Sequence, residues 1–220
     1  VIASRTETEI YQALGLAFVP PPMREATGEV EAAARGELPS VVQLADIQGD
    51  LHYHTDRSGD GRAPLEDMVK VAADRGYAYL AITDHGEDLA INGSSRAQML
   101  AHRDRIRALQ AEYPDLRILF GCELNIGAAG GLDYDPDFRP PAEREQGNRR
   151  GRRPGIELDI DIVLEALYAF DVALEINGAL DRLDAASDVV RRAVERGVKL
   201  VINTDSHHTS ELGRMEYGVL

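Results

Sequence analysis

From residue 41 onward, short apolar runs alternate with stretches whose apolar residues recur every three or four positions, the pattern of strands alternating with helices. Residues 47–52 read as a first strand. Pro64 then stands at a helical first turn, and Leu65, Met68, Val69 and Ala72 form one apolar face before Gly76 ends the helix. A second strand follows at 79–83. Ser94 or Ser95 caps a long helix reaching Glu112, which leads into a third strand at 117–124. A helix over 161–170 feeds a strand at 172–176. Another over 185–196, ended by Gly197, feeds the last strand at 199–203. Five strands alternating with helices predict an α/β fold with a mainly parallel sheet under helical cover.

Two stretches break this rhythm. Residues 1–40 offer a capping pattern, Thr6-Glu7-Thr8-Glu9, before a short helix ending at Gly15. Pro20-Pro21-Pro22 then halts regular structure, and a second short helix is expected over 29–35. The segment has too little apolar content for a domain of its own. It is read as a tail or the remnant of a preceding module, attached to a domain spanning 41–220. The chain starts with Val1 rather than Met, so this edge is read as a cut one. Residues 130–155, rich in Asp, Pro and Arg, show no periodicity and read as irregular, which is unusual for a loop of that length inside a compact domain.

Potential metal ligands stand at the ends of the predicted strands. His52-Tyr53-His54 closes the first, Asp84-His85 follows the second, Glu123 lies at the end of the third, and Asp205-Ser206-His207 follows the last. Residues i and i+2 of a strand point the same way, so His52 and His54 can address one ion. Asp60 lies in Ser58-Gly59-Asp60-Gly61, whose glycines let the loop fold back over the strand end. Imidazole suits zinc, manganese or iron, and the carboxylates of Asp60, Glu123 and Asp205 can complete a shell or bridge two ions. Ions about 3.5–4 Å apart would activate water and neutralise phosphoryl oxygens. Asp84 is read as orienting a histidine or polarising water from behind the ligands. His102 reads as a helix-face residue near Met99, Ile106 and Leu109, and His208 as a flank. Open α/β sheets and (β/α) barrels both place sites at the C-terminal strand ends. A barrel fits better, because several strand ends must converge on one mouth, but five strands are too few to close the eight-stranded form.

Charge and cysteine content narrow the reading. A formal net charge of −14 disfavours DNA held by the general surface, though not a phosphate ester in a cation-loaded cleft. The one basic cluster, Arg139, Arg144, Arg149, Arg150, Arg152 and Arg153, is softened by Glu143 and Glu145 and reads as a solvated loop, with phosphate contact as the alternative. Cys122 is the only cysteine and is read as a buried small hydrophobe. Its isolation excludes an internal disulfide and suits the reducing cytoplasm. No apolar run is long enough to span a bilayer, so no membrane association is expected.

His52-Tyr53-His54-Thr55, Ser58-Gly59-Asp60-Gly61, Ile82-Thr83-Asp84-His85, Gly121-Cys122-Glu123 and Asn203-Thr204-Asp205-Ser206-His207 resemble motifs of the polymerase-and-histidinol-phosphatase (PHP) superfamily. The chain is most similar to the C-terminal PHP domain of bacterial X-family DNA polymerases, through Gly49-Asp50-Leu51-His52, Glu87 to Gly93, Leu174-Glu175-Ile176-Asn177 and Met215 to Val219. The tail, from Ala3-Ser4-Arg5 to Met23-Arg24-Glu25, resembles the end of the polymerase module, which is expected in cis. This resemblance implies a distorted seven-stranded (β/α) barrel holding up to three ions, Mn2+ or Zn2+. It implies metal ligands at His52, His54, Asp60, His85, Glu123, Asp205 and His207, with Glu123 bridging. Asp84, His85, Glu123 and Asp205 would act in catalysis. The implied activity is 3′-to-5′ exonuclease or related processing of DNA 3′ ends in base-excision repair. The alternatives are a small-molecule phosphomonoesterase of the histidinol-phosphatase type and a catalytically degenerate module that positions DNA.

The chain departs from the family in one region. Two further family histidines are expected between the equivalents of Phe138 and Arg152, yet no histidine lies between His102 and His207. Five predicted strands against seven imply a barrel lacking two strand–helix units, about 40–50 residues.

Overall fold

The computed structural model describes residues 5–87, 93–126, 134, 142–144 (backbone only) and 158–219. The backbone divides after Gln43 into two compact units.

In the first unit, α1 (Glu7–Ala13) begins where the Thr6 side chain accepts a hydrogen bond from Glu9 N–H, the capping interaction expected there. A 3-10 turn at Pro21–Met23 follows the proline run, and α2 (Glu29–Arg35) lies between Gly28 and Gly36. The Arg24 guanidinium stands over the rings of Tyr11 and Phe18, at 5.9 and 5.7 Å, and forms a fork with Glu7 at 3.1 and 2.8 Å.

In the second unit the order is β1 (Gly49–Tyr53), α3 (Leu65–Asp74), β2 (Tyr79–Ile82), α4 (Arg96–Leu109), β3 (Arg117–Phe120), β4 (Cys122–Leu124), β5 (Ala142–Arg144), α5 (Ile160–Ala169), β6 (Leu174–Asn177), α6 (Ser187–Glu195), β7 (Leu200–Asn203) and α7 (Met215–Val219). β1, β2 and β3 pair in parallel, as do β6 with β7 and β4 with β5. Parallel bridges Tyr53–Ser206 and His85–Glu123 join these groups. The strands therefore form one row, β6-β7-β1-β2-β3/β4-β5, the arc of a distorted (β/α) barrel.

All five expected strands form, with two differences. The third is interrupted at Gly121, separating β3 from β4. β5 adds a strand inside the stretch read as irregular. A short parallel strand is held by backbone hydrogen bonds to its neighbour, which need no apolar alternation, so the hydrophobic pattern carries no sign of it.

The core lies between the sheet and α3 and α4. α3 buries Leu65, Met68, Val69 and Ala72, the face its periodicity marks. These pack with Leu80 and Ile82 of β2, Ile106 and Leu109 of α4, and Leu212. Ser95 and Gln98 form a capping box that fixes the start of α4. Cys122 is buried with Met99, Leu124 and Tyr134, as a small hydrophobe would be. Leu164 of α5 packs with Ala193 of α6 and Val198. Among the described residues, no helix is long and apolar enough to cross a membrane.

Candidate metal centre

The C-terminal ends of β1, β2, β4 and β7 deliver all seven expected ligands to one place. Alternation along β1 sends His52 and His54 the same way, with their Nε2 atoms 3.0 Å apart. The Thr55–Ala63 loop returns over the strand, with Asp56 N–H donating to Ala63 O and Gly61 N–H to Ser58 O. A Cβ on Gly61 would lie 1.8 Å from Thr55 O, so only glycine fits this approach. Gly61→Ala should therefore cost about 2 kcal/mol or more by overpacking and displace Asp60. Urea denaturation and metal titration of the variant check both effects.

At the end of β7, Asp205 has φ 53°, the left-handed region that Asp tolerates better than most side chains. His207 Nδ1 is 2.9 Å from Asp205 O. His208 lies outside the cluster, accepting from Ser210 N–H at the start of the 3-10 turn Thr209–Arg214.

The seven side chains form two adjoining groups, His52, His54, Glu123 and Asp205, and His54, Asp60, His85 and His207. Glu123 Oε2 is 3.3 Å from His52 Nε2, 3.0 Å from His54 Nε2 and 3.1 Å from His85 Nδ1. Asp60 Oδ2 is 3.2 Å from His85 Nε2 and 3.4 Å from His207 Nε2. Asp205 Oδ1 is 3.4 Å from Nε2 of both His52 and His54.

The donor set fits divalent cations. Asp60 Oδ1, Glu123 Oε1 and Asp205 Oδ1 are buried and accept no hydrogen bond of good geometry, which leaves lone pairs for an ion. His54 Nδ1 faces Ser58 Oγ at 3.3 Å, so its Nε2 is the atom offered to a metal, and it serves one ion at a time. His52, His54, Glu123 and Asp205 suit one ion; Asp60, His85 and His207 suit a second.

Burial and charge set the protonation of this cluster. Burial opposes ionisation of Glu123, but His52 and His54 outweigh it and hold the carboxyl well below its ordinary range. Asp60 is likewise lowered against the effect of burial, by His207 and His85, and Asp205 by His52, His54 and Arg182. Burial disfavours a charge on His54, yet Asp205 and Glu123 raise it to about 10. A metal must displace that proton. Below pH 10, affinity for the ion at His52, His54, Glu123 and Asp205 should rise with pH, with about one proton released from His54 when that ion binds. Calorimetric titration in buffers of differing ionisation enthalpy measures this release.

Partners behind the ligands hold their orientation. His52 Nδ1 lies 3.1 Å from Glu175 Oε2, to which Asn203 Nδ2 donates at 3.2 Å. Asp84 lies in neither group. It is buried and accepts from Thr55 N–H (2.6 Å), Thr55 Oγ1 (2.8 Å) and Ser58 Oγ (2.9 Å), so it ties the returning loop and, through Ser58, His54. His102, on the buried face of α4, reaches Asp84 Oδ2 at 2.9 Å. The pattern of apolar neighbours places His102 on that face but carries no sign of its carboxylate partner. Arg182, in the loop after β6, is also invisible to periodicity; its Nε meets Asp205 Oδ2 at 3.0 Å. Of the arginine cluster at 139–153, only the backbone of Arg144 falls within the described residues.

Comparison with known proteins agrees with this geometry. Residues 50–149 match the PHP domain model. The DNA polymerase/3′-5′ exonuclease PolX of Bacillus subtilis is 34% identical over 249 aligned positions, covering 97% of this chain and 43% of that protein. The chain thus spans less than half the length of that relative. It contributes about 213 residues to those positions, so at least about 36 of them are gaps on its side. A protein of Shewanella loihica named "Probable phosphatase" is 27% identical, covering 77% of this chain and 82% of its own length. Among solved structures, a histidinol-phosphatase-type protein from Listeria monocytogenes gives a TM-score of 0.59 at 15% identity, covering 76% of this chain and 97% of its own. Histidinol phosphate phosphatase from Lactococcus lactis, solved with zinc, L-histidinol and phosphate, gives 0.54 at 16%, covering 78% and 92%. Residues 50–149 thus match a PHP domain, and the described strands form the arc of a distorted barrel with a histidine–carboxylate cluster suited to divalent cations.

Proposed function

We propose that this chain is a metal-dependent phosphodiesterase that trims DNA 3′ ends as the C-terminal part of an X-family repair polymerase. The observation that carries this reading is the reach of the Bacillus match. At 97% coverage it takes in most of residues 1–43, outside the barrel unit, whereas the Shewanella phosphatase covers 77%. A polymerase-type tail joined to a phosphoesterase barrel favours a DNA substrate.

Divalent ions at the two groups would supply a nucleophile from water near neutral pH and offset the charge of a phosphoryl group. The protein's share is to hold and orient them. His52, His54, Glu123 and Asp205 would hold one, and Asp60, His85 and His207 the other, with Glu123 shared. Glu175 and Ser58 fix the ring orientations of His52 and His54. No separate general acid is assigned, so the leaving oxygen takes its proton from water. Positive charge from ions held at the two groups would let an otherwise acidic chain accept a phosphodiester.

A second reading, a small-molecule phosphomonoesterase, is favoured by the phosphatase relatives, which align over most of their own length. Incubating the 220-residue chain with Mn2+ and either a 5′-labelled oligonucleotide or histidinol phosphate separates the two. Stepwise shortening from the 3′ end, lost in His52→Ala and Asp205→Ala, is the expected result. Hydrolysis of histidinol phosphate with an intact oligonucleotide would overturn the DNA reading. No activity on either would favour a module that positions DNA.

A further inference from the structure

A buried arginine beside a centre built for cations needs an explanation, because its charge opposes the ions the centre would hold. Arg182 is 6% exposed. Its Nε lies 3.0 Å from Asp205 Oδ2, and Asn177 Nδ2 donates to the same oxygen at 3.3 Å. The other oxygen of Asp205, Oδ1, faces the imidazoles: 3.4 Å from His52 Nε2, 3.4 Å from His54 Nε2 and 3.6 Å from His207 Nδ1. The two oxygens thus have different surroundings, one held by the protein and one turned to the ligands.

Glu123 is arranged differently. Its Oε2 is shared among three histidines and its Oε1 is buried without a hydrogen bond, so both oxygens remain for ions. Neutralising Asp205 would not require an arginine, since a bound divalent ion would do so. What the planar guanidinium adds, together with the Asn177 amide, is direction.

We propose that Arg182 is a positioning residue that confines Asp205 to one oxygen and one ion, leaving Glu123 as the shared carboxylate of the centre. This rests on reading the cluster as a divalent-metal site and goes beyond it by assigning how each carboxylate binds. The Ala179–Leu183 turn that presents Arg182, with Arg182 N–H donating to Ala179 O at 2.9 Å, then sets a ligand's geometry from outside the ligand motifs.

The test is a Co2+ titration of the 220-residue chain, followed by its visible absorption, for wild type, Arg182→Gln and Arg182→Lys. Urea midpoints of the metal-free proteins are measured in parallel. In Arg182→Gln, one ion should bind about 10–100-fold more weakly. Its absorption should fall in intensity as the freed Asp205 oxygen raises the coordination number. Arg182→Lys keeps the charge but only a rotatable donor, so its affinity should lie between the two. Unchanged affinity and spectrum in Arg182→Gln would overturn the proposal. So would tighter binding, which would make Arg182 merely an opposing charge. If Arg182→Gln does not fold, Arg182→Lys decides alone, and wild-type affinity in it counts against a directional role. A wild type that binds no Co2+ would overturn the metal-centre reading, and this proposal with it, and is recognisable before any variant is compared.

Discussion

Glu123→Gln is expected to weaken metal binding by about a thousandfold or more and to abolish phosphodiester hydrolysis. Loss of a partner behind a ligand typically costs about 10–100-fold, and Glu123 is itself a ligand. Its Oε2 lies within 3.3 Å of His52, His54 and His85, residues drawn from both groups, so one substitution reaches both ions. Glutamine keeps the shape but removes the charge and turns an amide donor toward imidazoles that must stay neutral to bind metal. Dialysis against micromolar Mn2+ followed by elemental analysis reads the loss directly. Full retention of metal by Glu123→Gln would show that the two groups do not share this carboxylate.

Asp84→Ala should lower stability by about 3 kcal/mol or more, because the buried donors of Thr55 and Ser58 lose their acceptor at about 1–3 kcal/mol each. Asp84 is 1% exposed and receives two contacts from Thr55, one from Ser58 and one from His102. Burial favours its neutral form, but His102 and its other partners outweigh that and hold it at about 2, so it is ionised throughout the neutral range. Alanine leaves the Thr55 N–H without its acceptor and takes away the carboxylate that the buried His102 ring faces. Released from Asp84, Ser58 no longer steadies His54, so metal affinity should fall together with stability. Urea denaturation measures the first effect and metal titration the second. A loss below about 1 kcal/mol would mean that water or rearrangement replaces Asp84 as the acceptor.

The strands and helices were largely legible because each depends on a local signal. The apolar face of α3 follows from Leu65, Met68, Val69 and Ala72, and the start of α4 from Ser95 and Gln98. The convergence of the candidate ligands was legible because α/β folds gather strand ends, so histidines and carboxylates at successive ends come together. Contacts formed only by the folded chain were not legible. The His102–Asp84 pair joins α4 to the end of β2, and Arg182 meets Asp205 from a loop without any repeating pattern. Neither residue type nor spacing announces such pairs. β5 was missed because its pairing is a backbone property.

The central claim, that the ligand set forms a centre for two ions, is tested most directly by counting them. The 220-residue chain, purified without a histidine tag and dialysed against micromolar Mn2+ or Zn2+, would be analysed by elemental mass spectrometry with its folding checked by circular dichroism. The geometry predicts two ions per chain, one at His52, His54, Glu123 and Asp205 and one at Asp60, His85 and His207. A folded sample that retains one ion or none would contradict it.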